Sequence, residues 1–316
     1  FLPQPYLSIV IPAYNEEKLI GRVLDTMPDF VDLIIVVDDT STDSTCDIVT
    51  SYRTRLADRL LLIRHAQNQG VGAAIVTGYK QALLRQSDVI AVMAGDGQMD
   101  PDDLGRLVAP VARGEVEYTK GNRLFRGESW RMIPRYRYLG NAVLSLLTKI
   151  ASGYWHIADS QSGYTVAARM VLERLDLDGI YKRYGMPNDM LIQMNVGNFR
   201  VRDVSVRPVY DIGEVSGIRL RKVIPTISLL LLRGFLWRLL EKYVIRDFHP
   251  LVFFYAMGLT LFPGGMLLGL LLLGYRVCIG PVVATSAIFA AFLTISGLQA
   301  LLFAMWFDME YNRHLR

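Results

Sequence analysis

A carboxylate and an amide follow one apolar run closely enough to bind a metal ion together. Residues 89–101 read VIAVMAGDGQMDP, and the apolar run ends at Gly95, Asp96, Gly97 and Gln98. Hard divalent cations prefer oxygen ligands of these kinds, and flanking glycines let a diphosphate approach the backbone. Asp and Gly are also common in solvated turns between a strand and a helix. This stretch by itself therefore leaves a metal site and an ordinary turn open.

Near-continuous apolar runs in the first half of the chain predict strands that are covered on both faces. They lie at residues 7–12, 33–38, 60–64 and 89–93. Helical patterns alternate with them, at about residues 16–27, 43–55, 71–85 and 101–113. This alternation predicts an α/β fold with a mainly parallel sheet and flanking helices. Further strands are expected near residues 116–119, 164–168 and 199–206.

Polar residues follow three of these predicted strands, at 12–16, 38–39 and 96–98. In parallel sheets, ligands bind in the crevice beyond the carboxyl ends of the strands. We therefore expect the three stretches to converge on one crevice. Asp96 and Gln98 would then lie where a ligand binds.

Six motifs occur in the order found in family 2 glycosyltransferases with the GT-A fold. They are IVIPAYNEE (9–17), VVDDTSTDST (36–45), NQGVGAA (68–74), AGDGQMDP (94–101), GNR (121–123) and DSQSGY (159–164). With the apolar C-terminal segments described below, the chain resembles the polyprenyl-phosphate glycosyltransferases and is similar to dolichol-phosphate mannosyltransferase. This resemblance implies an enzyme that transfers a sugar from a UDP- or GDP-linked donor to undecaprenyl or dolichyl phosphate.

The resemblance also implies a nucleotide-binding set, formed by Pro12, Tyr14, Glu16, Val37 and Asp39. Tyr14 offers a stacking face, and the carboxylates of Glu16 and Asp39 can accept hydrogen bonds from the N–H groups of a base. Alternative interpretations remain for the two acids. Glu16 would suit the N-terminus of a helix, and Asp39 would suit an Asx-type turn.

Asp96 and Gln98 become the metal ligands in this resemblance, with Mg²⁺ or Mn²⁺ bridging to the donor diphosphate. The cation would stabilise the charge that develops on the leaving nucleoside diphosphate. The chain departs from the family pattern at Ala94, where many members have an acidic residue. That departure concerns the affinity for the metal more than its use.

Arginines are implied as phosphate ligands, because the forked guanidinium matches phosphate oxygens. Arg123, in the GNR motif, is expected to contact the donor, and Arg137 is expected to contact the phosphate of the acceptor. The family tends to have a further lysine in a segment where this chain lacks it. Arg219 is our candidate in its place, with Arg221 or Lys222 as alternatives.

Asp159 and Asp189 are candidate catalytic carboxylates near the acceptor. A lipid phosphate is mostly dianionic at neutral pH, because its second pKa is near 6, so it needs no strong base. Asp189 is therefore expected to position the acceptor, and a role as a helix cap is left open. The expected reaction is one in-line displacement that inverts the anomeric carbon.

Two uncharged segments, residues 251–274 and 277–307, exceed the roughly 20 residues that cross a bilayer core. Residues 275–278 are expected to connect them. Basic residues concentrate before and after this hairpin, which places the N-terminal part in the cytoplasm. The predicted domains are a glycosyltransferase domain (1–218), an amphipathic juxtamembrane segment (219–249), a transmembrane hairpin (250–308) and a cytoplasmic tail (309–316).

Two further segments resemble helices that lie in the headgroup layer, residues 137–155 and 223–247. In the second, Arg238, Lys242 and Arg246 recur at four-residue intervals and are expected on one polar face. For residues 137–155, a helix packed on the core by its apolar side is the alternative.

The composition limits the classes of partner that the chain could bind. The net charge of +4 and the basic residues beside the spans fit an anionic membrane surface, and no basic-aromatic motif for nucleic acid occurs. Cys46 and Cys278 fall on opposite sides of the membrane in this topology, so a disulfide is not expected. The four histidines show no pairing pattern and are interpreted as structural or surface residues. A homo-oligomer is compatible with the sequence, which does not define one.

Three other functions are alternatives to sugar transfer onto a polyprenyl phosphate. A processive polysaccharide synthase would usually carry a QxxRW motif, which this chain lacks, and two spans make a poor polymer channel. A dinucleotide-binding enzyme is suggested by Gly70 and Gly72, but Ile75 replaces the third glycine of that motif. A catalytically silent lipid-binding protein is the third alternative, suggested by Ala94.

Overall fold

Seven strands form one mixed sheet in the order β3-β2-β1-β4-β6-β5-β7. The computed structural model describes residues 5–124, 135–207, 209 and 220–316. The strands are β1 (Leu7–Ala13), β2 (Leu33–Asp38), β3 (Leu60–Arg64), β4 (Val89–Val92), β5 (Tyr118–Asn122), β6 (Thr165–Ala168) and β7 (Val201–Ser205). Only β6 runs antiparallel to its neighbours among these strands, so the carboxyl ends of the other six lie at one edge. The prediction of a mainly parallel α/β fold is confirmed.

The helices that the structure describes fall into two groups. Those of the N-terminal part are α1 (Ile20–Asp25), α2 (Thr45–Ser51), α3 (Arg53–Leu56), α4 (Val71–Leu84), α5 (Leu104–Ala112), α6 (Arg135–Ser152), α7 (Arg169–Arg174) and α8 (Met186–Val196). Those of the C-terminal part are α9 (Leu220–Leu240), a π-helical turn (Glu241–Arg246), α10 (Leu251–Cys278) and α11 (Ala284–Tyr311). By its internal contacts the chain divides into two compact units, Phe1–Phe235 with Leu315–Arg316, and Leu236–His314.

Both faces of the sheet are covered, because alternate residues of each strand point to opposite sides. Ile9 and Ile11 of β1 pack with α1, α2 and α5, whereas Val10 between them packs with α4, α7 and α8. This arrangement buries the inner strands on both sides. It explains why they read as continuous apolar runs rather than alternating ones.

Helix α6 buries polar side chains and exposes apolar ones, the reverse of a helix that packs on the core of a soluble protein. Ser145 and Thr148 are buried, whereas Val143, Leu146 and Leu147 are between 40% and 52% exposed. Small hydroxyl groups therefore face the protein and aliphatic side chains face outward. This pattern favours the predicted interfacial helix over the alternative of a helix packed by its apolar side.

Helices α10 and α11 are long and apolar enough to cross a membrane, and most of their side chains are not buried by the protein. The predicted connection at 275–278 is wrong, because α10 continues to Cys278 and the chain turns between Ile279 and Val283. Pro281 explains the shift. It has no N–H to donate, and its ring disfavours helical geometry at the residue before it.

The basic residues at the end of α9 do not face outward as the sequence predicted. Arg238 and Lys242 are buried, while Arg246 is exposed. Arg238 forms a bidentate ion pair with Asp308 of α11, with N–O distances of 2.7 and 3.0 Å, and the hydroxyl of Tyr243 donates to the same carboxylate at 2.5 Å. An unpaired charge in the protein interior is costly, so the acid that α11 supplies draws the arginine inward.

Substituting Gly78 with alanine is expected to destabilise the N-terminal unit by about 1–3 kcal/mol, because the site is overpacked. A Cβ on Gly78 of α4 would lie 2.1 Å from Cγ1 of Val10. Gly105→Ala in α5 is the matched control, since nothing lies within 4 Å of its Cβ position. We expect that change to stabilise the helix by about 0.5–1 kcal/mol. Thermal unfolding of both variants in detergent measures the difference, and equal effects would contradict the packing described.

Breaking the Arg238–Asp308 pair from one side is expected to cost about 3–5 kcal/mol, because the remaining charge is left buried. The double variant Arg238→Met/Asp308→Leu should lose less than the sum of the two single variants. A double-mutant cycle of unfolding in detergent measures this coupling. Strict additivity would mean that the two side chains do not interact in the folded protein.

Candidate active site

Hydrogen bonds join the loops that follow β1 and β2 at the carboxyl edge of the sheet. The backbone N–H of Asn15 donates to Oγ of Ser41 at 2.9 Å, and that of Glu16 donates to Oγ1 of Thr45 at 2.8 Å. Tyr14 is left 49% exposed at the tip of the first loop. An exposed aromatic ring on a loop whose backbone is held in this way suits the binding of a planar base.

Asp39 is buried and accepts hydrogen bonds from three donors of its own chain. These are Nδ1 of His65 at 2.8 Å, the backbone N–H of Gln69 at 2.8 Å and that of Gly70 at 2.7 Å. The carboxylate therefore fixes the turn that leads into α4 and keeps little capacity for a base. His65 was not predicted as a residue of this region from the sequence. The signal that could have found it is its position directly after β3, at the same edge of the sheet.

The two glycines of the NQGVGAA motif are explained by packing. Gly70 adopts a φ of +98°, and a Cβ there would lie 2.6 Å from the carbonyl oxygen of Lys182. A Cβ on Gly72 would lie 2.6 Å from the carbonyl oxygen of Tyr181. The chain itself fills the space that a pyrophosphate would need, so the motif does not indicate a dinucleotide site.

Two acids from different loops, Glu16 and Asp96, lie close enough to influence each other. Burial, together with the carboxylates of Asp96 and Asp43, raises the pKa of Glu16 to about 7. Asp96 also accepts a hydrogen bond from the backbone N–H of Gln98 at 3.0 Å. The mutual repulsion of these carboxylates at the position predicted for the metal would be relieved by a bound cation.

This donor set fits a divalent cation that completes its coordination with substrate. Among residues 5–124, 135–207, 209 and 220–316, no group of three or more His, Cys, Asp or Glu side chains could hold a metal ion. Mg²⁺ commonly binds through one or two carboxylates and the phosphates of a substrate rather than in an all-protein cage. Asp96 and Gln98 supply hard oxygen donors of that kind, so the predicted pair fits such an ion.

Arg123 and Asp159 form a bidentate ion pair beside these residues. Nε of Arg123 lies 2.8 Å from Oδ2 of Asp159, and Nη2 lies 3.2 Å from Oδ1. Burial would raise the pKa of Asp159, but the cationic Arg123 and Lys120 outweigh it and hold the pKa below its usual value. The structure therefore makes Asp159 the residue that orients Arg123.

Arg123 lines a pocket together with Gln98 and Arg207. The side chain of Arg207 is largely exposed, and its nearest carboxylate, Asp100, is 3.8 Å away. Arg207 was not predicted as a site residue from the sequence. It lies two residues after β7, whose carboxyl end shares the edge with β4 and β5, and that placement was the available signal.

The other predicted site residues lie in different surroundings. Pro12 and Val37 are paired in register between β1 and β2 and are buried, so a nucleotide contact there remains a prediction. Asp189 lies in the first turn of α8, where its carboxylate accepts the backbone N–H of Tyr181 at 2.8 Å. Burial raises the pKa of Asp189. Arg137 lies in α6, and Arg219 lies outside the described residues.

Asn188, next to Asp189, connects α8 to the DSQSGY loop. Its Oδ1 accepts hydrogen bonds from Nε2 of Gln161 at 3.0 Å and from Oγ1 of Thr148 at 3.2 Å. Asp189 is thus adjacent in sequence to Asn188, which contacts the loop that carries Asp159. The structure brings the two predicted acids into one region, through residues that the sequence analysis did not single out.

The family model for glycosyl transferase family 2 matches residues 8–176, more than half of the chain. The chain belongs to glycosyl transferase family 2. The matched segment includes Tyr14, Glu16, Asp39, Asp96 and Arg123, whereas Asp189, Arg207 and Arg219 of this glycosyltransferase lie beyond it.

Relatives of this glycosyltransferase include enzymes named for lipid-phosphate acceptors. It is 31% identical to a UDP-N-acetylglucosamine–dolichyl-phosphate N-acetylglucosaminyltransferase of Methanococcus voltae, with 65% of this chain and 86% of the relative covered. It is 32% identical to an undecaprenyl-phosphate mannosyltransferase of Micrococcus luteus, with 65% and 84% covered.

A solved structure supports the fold. Glucosyl-3-phosphoglycerate synthase from Mycobacterium tuberculosis, in complex with Mn²⁺, UDP and glucosyl-3-phosphoglycerate, superposes with a TM-score of 0.55 at 20% identity. The superposition covers 74% of this chain and 80% of the other. This likeness shows that the family 2 enzyme described here has a GT-A-like α/β fold.

Asp39→Asn is expected to lower the stability of the ligand-free enzyme by about 1–3 kcal/mol, because hydrogen bonds to a buried charged group are lost. Asp178→Asn is the control, since Asp178 is 83% exposed and its ion pair with Lys80 lies at the surface. That change should alter the stability by less than about 0.5 kcal/mol. Chemical or thermal unfolding without nucleotide makes the comparison. If Asp39→Asn leaves the stability unchanged, the carboxylate does not stabilise this turn, and nucleotide binding remains its predicted role.

Proposed function

We propose that this enzyme transfers a sugar from a UDP- or GDP-linked donor to the phosphate of a membrane polyprenol, with inversion at the anomeric carbon. The observation that carries the proposal is the pocket lined by Gln98, Arg123 and Arg207. Asp96 lies two residues before Gln98, and its carboxylate acts on that of Glu16. A negatively charged diphosphate needs both kinds of group. Cationic side chains bind its oxygens, and carboxylates bind a bridging cation.

The donor half of the site follows from the loops after β1, β2 and β4. Tyr14 offers its ring to the base, and the loop that carries Glu16 is fixed by its hydrogen bond to Thr45. Asp96 and Gln98 would hold Mg²⁺ or Mn²⁺, which supplies charge stabilisation to the leaving diphosphate. Arg123, oriented by Asp159, places its guanidinium where that charge develops.

The chemical step is one displacement. An oxygen of the acceptor phosphate supplies an electron pair to the anomeric carbon, and the bond from that carbon to the donor phosphate oxygen breaks. The nucleoside diphosphate leaves with that electron pair, so no proton has to be removed from a dianionic acceptor. Asp189 then positions the acceptor side of the site rather than acting as a strong base, and Arg137 and Arg219 are proposed to contact the acceptor or donor phosphates.

The lipid half of the proposal is supported by the outward aliphatic face of α6 and by the exposed, apolar α10 and α11. Relatives named for dolichyl and undecaprenyl phosphate point to the same class of acceptor. We propose that residues 250–308 span the cell membrane and that residues 1–218 form a cytoplasmic domain. The juxtamembrane segment and the tail follow the predicted limits, 219–249 and 309–316.

The direct test offers radiolabelled UDP- and GDP-sugars to the purified enzyme with undecaprenyl or dolichyl phosphate and Mn²⁺ or Mg²⁺. Label that enters the organic phase identifies the donor and the acceptor together. Label released only as free sugar in every combination would contradict the lipid acceptor. A product that retains the donor's anomeric configuration would contradict the single displacement.

Asp96→Ala is expected to reduce transfer by at least about 100-fold, because the cation loses its carboxylate ligand and the leaving group loses its stabilisation. Asp102→Ala is the control, an exposed carboxylate at the start of the following helix. Transfer rates are compared at saturating metal, with thermal unfolding as a check of folding. An Asp96→Ala variant with near-normal turnover would remove the metal role from this residue.

A further inference from the structure

Lys120 places a positive charge inside the sheet of the catalytic unit. It lies in β5, is 1% exposed, and its Nζ donates a hydrogen bond to the backbone carbonyl of Ser162. The charged groups that face it are the carboxylates of Asp159 and Asp203 and the guanidinium of Arg123. Burying an ammonium group is costly unless carboxylates surround it. Four charged side chains thus form one cluster directly behind the pocket.

Asp203 connects this cluster to two segments of the site. It is paired in register with Lys120, and its Oδ2 accepts hydrogen bonds from Nδ2 of Asn122 at 2.8 Å and from the backbone N–H of Ala158 at 2.7 Å. Its Oδ1 is buried without a hydrogen-bond partner in the part of the chain that the structure describes. Burial raises the pKa of Asp203 to about 6, and the hydrogen bond from Ala158 and the ammonium of Lys120 oppose that rise.

Lys120 influences both members of the Arg123–Asp159 ion pair through its charge. Its hydrogen bond to Ser162 holds the loop that carries Asp159, and Ser162 lines the same pocket as Arg123. Lys120 and Arg123 together balance the charges of Asp159 and Asp203. Removing the ammonium would leave Asp159 beside the like charge of Asp203, with Arg123 as the remaining cation that acts on it.

We propose that Lys120 is a positioning residue of the transfer reaction, whose buried ammonium leaves Arg123 directed at the donor diphosphate. This inference rests on the proposed function. An apolar side chain would fill a strand interior at lower cost, so a purely structural role does not account for a lysine at this place.

The pH dependence of transfer distinguishes a positioning role of Lys120 from a role in folding. Burial lowers the pKa of Lys120 from 10.5 to about 8, against the effect of the two carboxylates. Transfer is therefore expected to fall as the pH rises above about 8. The unfolded chain binds more protons than the folded one between about pH 8 and 10.5, so the contribution of Lys120 to stability rises over the same range. Unfolding through Lys120 cannot explain an alkaline loss of activity.

The experiment compares Lys120→Met with Lys80→Met, a control at a surface ion pair. We expect Lys120→Met to lower kcat/KM for transfer by about 10- to 100-fold, because a misoriented group loses most of its effect on the reaction. The alkaline limb that Lys120 produces should disappear from its pH profile. Asp203→Asn should move that limb to lower pH, because it removes a carboxylate that favours the charged lysine. Lys80→Met should retain the wild-type rate and profile.

A second measurement does not depend on the lipid acceptor. Binding of UDP and GDP in the presence of Mn²⁺ is titrated for the wild type and both lysine variants, with thermal unfolding from pH 7 to 10. Weaker binding in Lys120→Met alone supports the positioning role even if transfer to a lipid is not found. Wild-type rate, binding and pH profile in a folded Lys120→Met variant overturn this inference and leave the proposed function intact. A wild type that binds neither nucleotide overturns both.

Discussion

Two buried carboxylates, Asp39 and Asp159, fix the geometry of the site, because a carboxylate removed from water must satisfy its charge with donors from the protein. Asp39 binds the N–H groups of the turn that leads into α4, together with the ring of His65. Asp159 binds the guanidinium of Arg123. Neither acid is left to meet the ligand with its full capacity. Both instead determine where the groups that can meet it are held.

The acidic residues differ in their contacts because they differ in burial. Glu16 and Asp96 are only partly buried and lie near each other, so their mutual repulsion is relieved when a cation binds between or beside them. Asp39 and Asp159 have their partners already and need no cation. The candidate site therefore combines acids that are paired within the protein with acids that a divalent ion and a diphosphate would be expected to complete.

A second polar cluster, formed around Arg238 and Asp308, shows the same rule in the C-terminal unit. Its arginine is fully buried because an acid and a tyrosine hydroxyl lie within hydrogen-bond distance. The four-residue spacing of basic residues correctly placed Arg238 and Lys242 on one side of the helix. It could not tell which side faced inward, since the acid that decides this lies 70 residues further along the chain.

The amino-acid sequence by itself determined the strands, the α/β class and the edge at which ligands bind. Continuous apolar runs and the parallel connections leave few alternatives, and the ordered motifs identified the glycosyltransferase family. Asp96, Gln98 and Arg123 were predicted from these motifs, and the structure has Asp96 and Gln98 in the loop after β4 and Arg123 directly after β5. Only the tertiary structure showed that Asp39 and Asp159 bind groups of the protein's own chain, and that His65, Arg207 and Lys120 lie next to the predicted site residues. Their partners come from distant segments, and the burial and charge balance that define their roles exist only once those segments have packed together.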